Sequence, residues 1–156
     1  MKRILGIDPG FGKMGFGCIE VDRGVCRAKD FGVITTKPKE ALPNRLKQLA
    51  EDLRELVRIG KPTSIAVETL YFKQNVTTGI RVAEARGIVL LVAAEQGIPV
   101  VEVFPNQVKK ALTGDGHAGK PAMQKMVKIL LGLSRIPKPD DAADALAIAI
   151  TAVTIR

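Results

Sequence analysis

A chain of 156 residues with 46% apolar side chains can bury a real core, which excludes a disordered polypeptide and suits one compact domain over 1–156. Its 24 Lys and Arg against 16 Asp and Glu leave a formal charge of +8. An enzyme of small metabolites has no need of that surplus, whereas a protein that approaches a polyanion does, because cationic groups displace counterions from phosphates. A basic surface kept for solubility is the plainer alternative.

The N-terminus, Met1-Lys2-Arg3-Ile4-Leu5-Gly6-Ile7-Asp8, lacks the long apolar stretch of a signal peptide, and no uninterrupted apolar run reaches membrane-spanning length. A soluble, cytoplasmic protein is expected. Cys18 and Cys26 flank a hairpin turn at Asp22-Arg23-Gly24, which would set Cys26 opposite Glu20 and leave Cys18 a diagonal neighbour at best. Two free, buried thiols follow, in a reducing compartment.

In chain order, Ile4 to Ile7 is an apolar run ending on Asp8-Pro9-Gly10, the pattern of a buried strand meeting a turn. Gly15 to Val21 and Val25 to Thr35 are further strands, and the three form an antiparallel meander. Leu42, Leu46, Leu49, Leu53 and Leu56 mark an amphipathic helix to Ile59, stopped by Gly60-Lys61-Pro62. Ser64 to Val67 is a second buried strand, ending on Glu68. Asn75 can cap a long helix from Val76 to Gln96, and Val100 to Phe104 makes another strand. Pro105 opens a short helix through Leu112. After a loop with Gly114, Gly116 and Gly119 comes a helix from Pro121 to Leu131, then a last helix from Asp140 to Thr154. This order predicts an α/β fold, a mixed sheet of about five strands with helices on both faces.

Gly10-Phe11-Gly12-Lys13-Met14-Gly15 has the spacing of a dinucleotide-binding loop. That site needs a helix at its last glycines, but Phe16 to Val21 alternates as a strand does, and Asp8 would repel a pyrophosphate. The phosphate hairpin of actin-like and sugar-kinase ATPases also begins strand-Asp-x-Gly. Those proteins close two such domains on a nucleotide, and this chain has length for one.

Asp8 and Glu68 end the two strands that read as central. A carboxylate at that depth is costly unless it is paired, hydrogen-bonded or bound to a metal. Taken singly, each could be ordinary strand-end polarity, with Asp8 serving a turn. In Asp140-Asp141-Ala142-Ala143-Asp144, helix capping accounts for Asp140 but poorly for Asp144, a full turn in among alanines that allow close packing. Asp141 and Asp144 share a face. Four acids on three elements of a basic chain suggest a site for hard divalent cations, the kind that clamps both oxygens in phosphodiester hydrolysis.

Gly6-Ile7-Asp8-Pro9-Gly10, Val67-Glu68, Gln107-Val108-Lys109 and Asp141-Ala142-Ala143-Asp144-Ala145-Leu146-Ala147 together resemble the bacterial RuvC family, the crossover junction endodeoxyribonucleases. The resemblance spans nearly the whole chain in order and spacing. It implies an RNase H-like fold and a homodimer that cuts two opposed strands of a four-way junction with Mg²⁺, for which Mn²⁺ substitutes. It also implies contact with the branch-migration proteins of the junction-processing complex. By position, the metal carboxylates fall on Asp8, Glu68, Asp141 and Asp144, and two functional lysines on Lys109 and Lys120. Three departures are visible: Pro121 directly follows Lys120, Ala152 stands where many members have a histidine, and no basic tail follows Arg156.

Tyr71 and Phe72, followed by Lys73, suit a loop that stacks on an unpaired base, and the resemblance puts a base-contacting aromatic at Tyr71. Either ring could instead cover the core. Arg81, Arg86, Lys109, Lys110, Lys120, Lys125 and Lys128 could line a DNA track, or be solvated helix residues. The lone His117 lies in a Gly-rich loop without a partner histidine, and is expected to be solvated or to meet a phosphate. The helix from Val76 is apolar over Ile88 to Ala94, wide enough for core and dimer contacts together. Two alternatives to the nuclease stay open on this fold: an inactive junction binder and an actin-like nucleotide-binding module.

Overall fold

Two antiparallel hairpin pairings and two parallel crossovers build the sheet, because the first three strands follow one another directly while helices separate the rest. A computed structural model describes residues 1–69 and 76–155. In it β1 (Lys2–Asp8), β2 (Lys13–Asp22) and β3 (Val25–Thr35) form the expected meander. Helix α1 (Leu42–Gly60) returns the chain to β4 (Ser64–Glu68), parallel to β1, and α2 (Val76–Glu95) returns it to β5 (Val100–Val103), parallel to β4. The five strands lie in the order β3-β2-β1-β4-β5. Then come α3 (Pro105–Thr113), α4 (Lys120–Leu130) and α5 (Asp140–Thr154). The Gly10–Gly15 motif lies in the β1–β2 hairpin and leads into a strand, so no helix opens at its last glycines.

The sheet separates two apolar clusters. On one face Leu5, Ile7, Met14, Ile65 and Cys18 pack against Leu49 and Leu53 of α1 and Val89 and Val92 of α2. On the other, Ile4, Ile19, Ala66 and Val103 meet α3, α4 and α5 through Val108, Val127, Leu146 and Ile148. Helix α5 lies unusually near the strands because the residues beneath it have no side chains. A Cβ on Gly6 would meet the Ala145 carbonyl, one on Gly15 the Asp141 carbonyl, and one on Gly17 the Leu146 side chain. Gly6 pairs with Gly17 across β1 and β2, so the glycines make one groove that seats the alanine-rich helix.

The β2–β3 hairpin departs from the expected register. Its loop is the two residues Arg23 and Gly24, both with positive φ (49° and 83°), as a tight I′ turn requires. Cys26 therefore faces Val21, not Glu20, and an irregularity after Cys18 moves that residue opposite Asp30. Cys18 belongs to the α1 side and Cys26 to the α5 side, so the sheet lies between the two thiols. Both are free, with Cys18 buried and Cys26 only half-buried rather than buried as expected.

Candidate active site

Strand alternation decides where the acids point. Ile4 and Gly6 of β1, and Ala66 of β4, face α5, so the next alternate positions, Asp8 and Glu68, face the same side. Ile7 and Val67 are partners in the parallel register, which sets Asp8 and Glu68 level at the ends of neighbouring strands. Asp8 pairs with Gly15, and the space left by that glycine is filled by the first turn of α5. That turn brings Asp141 and Asp144 over the strand ends, one helical step apart.

Carboxylate oxygens of Asp8, Asp141 and Asp144 lie within 4.8 Å of one another. Glu68 stands at the edge of this triad, close enough for its charge to act on Asp8. Burial, with the charges of Asp144, Glu68 and Asp141, pushes the Asp8 carboxyl up to about 8. Burial also raises Glu68, reinforced by Asp144 and opposed by Lys109. Burial raises Asp144 too, opposed by Lys120. Grouped acids that resist ionisation are what a divalent cation would relieve, and an all-oxygen donor set suits a hard ion. The residues present fit such an ion.

Two lysines border the acids from the α5 side. Lys120, on the first turn of α4, approaches Asp144 at 3.5 Å and Asp140 at 3.7 Å. Pro121 behind it is accommodated within that first turn. Lys109 of α3 lowers Glu68 by its charge, and the Gln107 side chain accepts a 2.8 Å hydrogen bond from the Phe104 backbone N–H, fixing the start of that helix. Glu68, Lys109, Lys120 and Asp144 line one cleft of about 340 Å³, floored by Val108, Met123 and Ile148.

The turn after Asp8 is held by residues that sequence reasoning passed over. Thr36 donates its hydroxyl to the Phe11 carbonyl at 2.6 Å, and buried Arg45 donates to Thr36 at 2.9 Å. The Phe11 ring has the Arg45 guanidinium 4.9 Å from its centroid and that of Arg81 at 5.6 Å. A leucine-spaced helix gives no hint that Arg45 turns inward.

Of the other candidates, Arg81, Lys110, Lys125 and His117 are exposed and Lys128 is half-buried. Arg86 is half-buried and engaged within the fold. Its guanidinium pairs with Glu102 at 2.9 Å and donates to the Glu68 carbonyl at 3.3 Å. Tyr71, Phe72, Lys73 and the proposed cap Asn75 lie outside the described residues.

The family model for crossover junction endodeoxyribonuclease RuvC matches residues 4–152. The chain belongs to the RuvC family. It is 48% identical over 153 residues to the crossover junction endodeoxyribonuclease RuvC of Pseudothermotoga lettingae, covering 98% of this chain and 94% of that one. With the RuvC of Chloroflexus aggregans it shares 51% identity over 148 residues, covering 95% and 90%. Among solved structures it is similar to T. thermophilus RuvC in complex with Holliday junction substrate, with a TM-score of 0.92 and 37% identity, covering 97% of this chain and 92% of that one. The RNase H-like fold expected of a RuvC protein is thus the fold found. Among the described residues, no helix is long and apolar enough to cross a membrane.

Proposed function

We propose that this chain, as one nuclease domain over 1–156, resolves Holliday junctions by Mg²⁺-dependent hydrolysis of phosphodiester bonds in two symmetrically opposed strands, in recombination and DNA repair in the cytoplasm. The observation that carries this reading is the cluster of Asp8, Asp141 and Asp144 at the seat of α5, with Glu68 beside it. A divalent cation bound there, Mg²⁺ or Mn²⁺, would polarise the phosphate and lower the pKa of an attacking water. The protein's own part is placement. Asp8 and Glu68 present oxygens from the sheet, and Asp141 and Asp144 present them from the helix. Lys109 and Lys120 carry positive charge to the cleft where a phosphodiester backbone would lie, and Arg81 and Lys110 extend it. Tyr71, Phe72 and Lys73 would meet an unpaired base beside the acids, a role read from the sequence alone.

Two sites related by a dyad reach equivalent strands of a junction, so the working unit is a homodimer. Val76, Ile80 and Leu91 of α2 support this, being 63%, 49% and 48% exposed on one stripe of the helix. Branch-migration proteins are the partners that the family relationship suggests. Three acids grouped within 4.8 Å, with Glu68 beside them, support a nuclease over an inactive junction binder or a nucleotide-binding module. The test is a synthetic mobile four-way junction incubated with Mg²⁺ or with chelator. Paired symmetric nicks only with Mg²⁺, absent in Glu68→Gln, are expected. An intact junction under both conditions overturns the reading.

A further inference from the structure

Arg86 works from behind the site. Glu102 alternates with Val101 and Val103, so it points to the α2 side of β5, away from the four acids. The Arg86 guanidinium reaches it from α2 at 2.9 Å, and its Nε donates to the Glu68 main-chain carbonyl at 3.3 Å. The side chain is 17% exposed.

That carbonyl sits where the sheet gives out. The β1–β4 register ends at Ile7 and Val67, and two residues beyond Ile7 stands Pro9, which has no N–H to offer. On the β5 side the strand end is still held, with the Thr69 N–H donating to the Val103 carbonyl at 2.8 Å. Arg86 supplies a donor at the end of β4 and carries a full charge with it. Arg86 reaches that carbonyl from the α2 side and is mostly covered, so a solvated cation does not describe it. An ion pair alone would not need arginine. The planar fork lets one side chain serve a carbonyl and a carboxylate together, which a lysine ammonium does less well.

We propose that Arg86 is a positioning residue for the cation site: it fixes the end of β4, and so sets where the Glu68 carboxylate stands relative to Asp8 and Asp144. The proposal deepens the nuclease reading, and rests on Glu68 being a cation ligand. Groups that orient ligands from outside change metal affinity or activity roughly 10- to 100-fold when removed.

The experiment uses the full chain as wild type, Arg86→Lys, Arg86→Gln, Glu102→Gln and Glu68→Gln. Three quantities are read: Mn²⁺ affinity by calorimetry without DNA, single-turnover junction cleavage, and junction affinity without divalent ions. Arg86→Lys should lose roughly 10-fold or more in both Mn²⁺ affinity and cleavage, with junction affinity within about twofold of wild type. Glu102→Gln, which leaves the bond to Glu68, should change Mn²⁺ affinity by less than about threefold. Unchanged Mn²⁺ affinity in Arg86→Lys overturns the proposal, as does a loss of junction affinity equal to the loss of cleavage, which would make Arg86 a DNA contact. Arg86→Lys decides the matter even if Arg86→Gln fails to fold. Wild-type Mn²⁺ binding and cleavage in Glu68→Gln would instead remove Glu68 from the site, and the proposal with it.

Discussion

Gly15 and Asp141 meet backbone to backbone: a Cβ on the strand residue would fall on the carbonyl oxygen of the helix residue. The same contact sets the height of α5 above Asp8, because Gly15 is the cross-strand partner of Asp8. Gly15→Ala must therefore lift the helix. Overpacking of this kind costs about 1–3 kcal/mol, and here the obstacle is backbone on both sides, so the upper end is expected. Thermal denaturation should show the loss of stability. Junction cleavage should fall further than stability does, since Asp141 and Asp144 move with the helix.

The Asp8 carboxyl, raised to about 8, makes the cation-free protein sensitive to pH. A carboxyl that binds its proton more tightly when folded stabilises the fold only while protonated. Stability of the cation-free protein should therefore fall as pH rises from the ordinary carboxylate range near 4 through about 8. Asp8→Asn should flatten that decline and abolish cleavage while leaving junction binding in place. Mg²⁺ selects the ionised form, so it should raise the melting temperature more at alkaline than at acidic pH. Equal Mg²⁺ stabilisation at both extremes would dissociate Asp8 from cation binding.

Leu91 offers a test of association that leaves the fold alone. It is 48% exposed, whereas Val89, Val92 and Ala93 on the same helix are buried. Leu91→Glu should keep the wild-type circular dichroism spectrum and weaken self-association at least about tenfold, corresponding to about 1.4 kcal/mol. Sedimentation at micromolar concentration with and without junction DNA measures this. A wild-type chain that binds each junction as a single monomer would contradict the dimer.

The sequence made the acids legible for a physical reason. Carboxylates ending apolar strands, and one lying inside an alanine-rich helix, are costly without a cation, and each of these features is local. Element order was legible too, since leucine spacing, alternation and proline breaks are short-range signals. Less legible were features defined by what lies across the fold. Gly15 reads only as the last glycine of a dinucleotide-binding spacing and the start of a strand, yet its use, with Gly17, is to admit α5. The two-residue turn at Arg23-Gly24 shifted Cys26 by one position, because a non-glycine residue takes positive φ there. Arg86 reads as a solvated cation, and Arg45 drew no notice, until the partners Glu102 and Thr36 are seen in space.

Among the described residues, the two apolar clusters share none, with the sheet standing between them. Lesions on opposite sides of such a partition behave as independent faults, their costs simply summing. The side that seats α5 fixes the triad of aspartates. The side that packs α1 and α2 carries the exposed stripe, and its polar hold on the end of β4 is Arg86. Helices α1 and α2 reach the site through a few polar contacts: Arg86 at the end of β4, and Arg45 and Arg81 at the turn after Asp8. On the proposed dimer, the contact between copies and the seat of the acids would lie on opposite sides of the sheet.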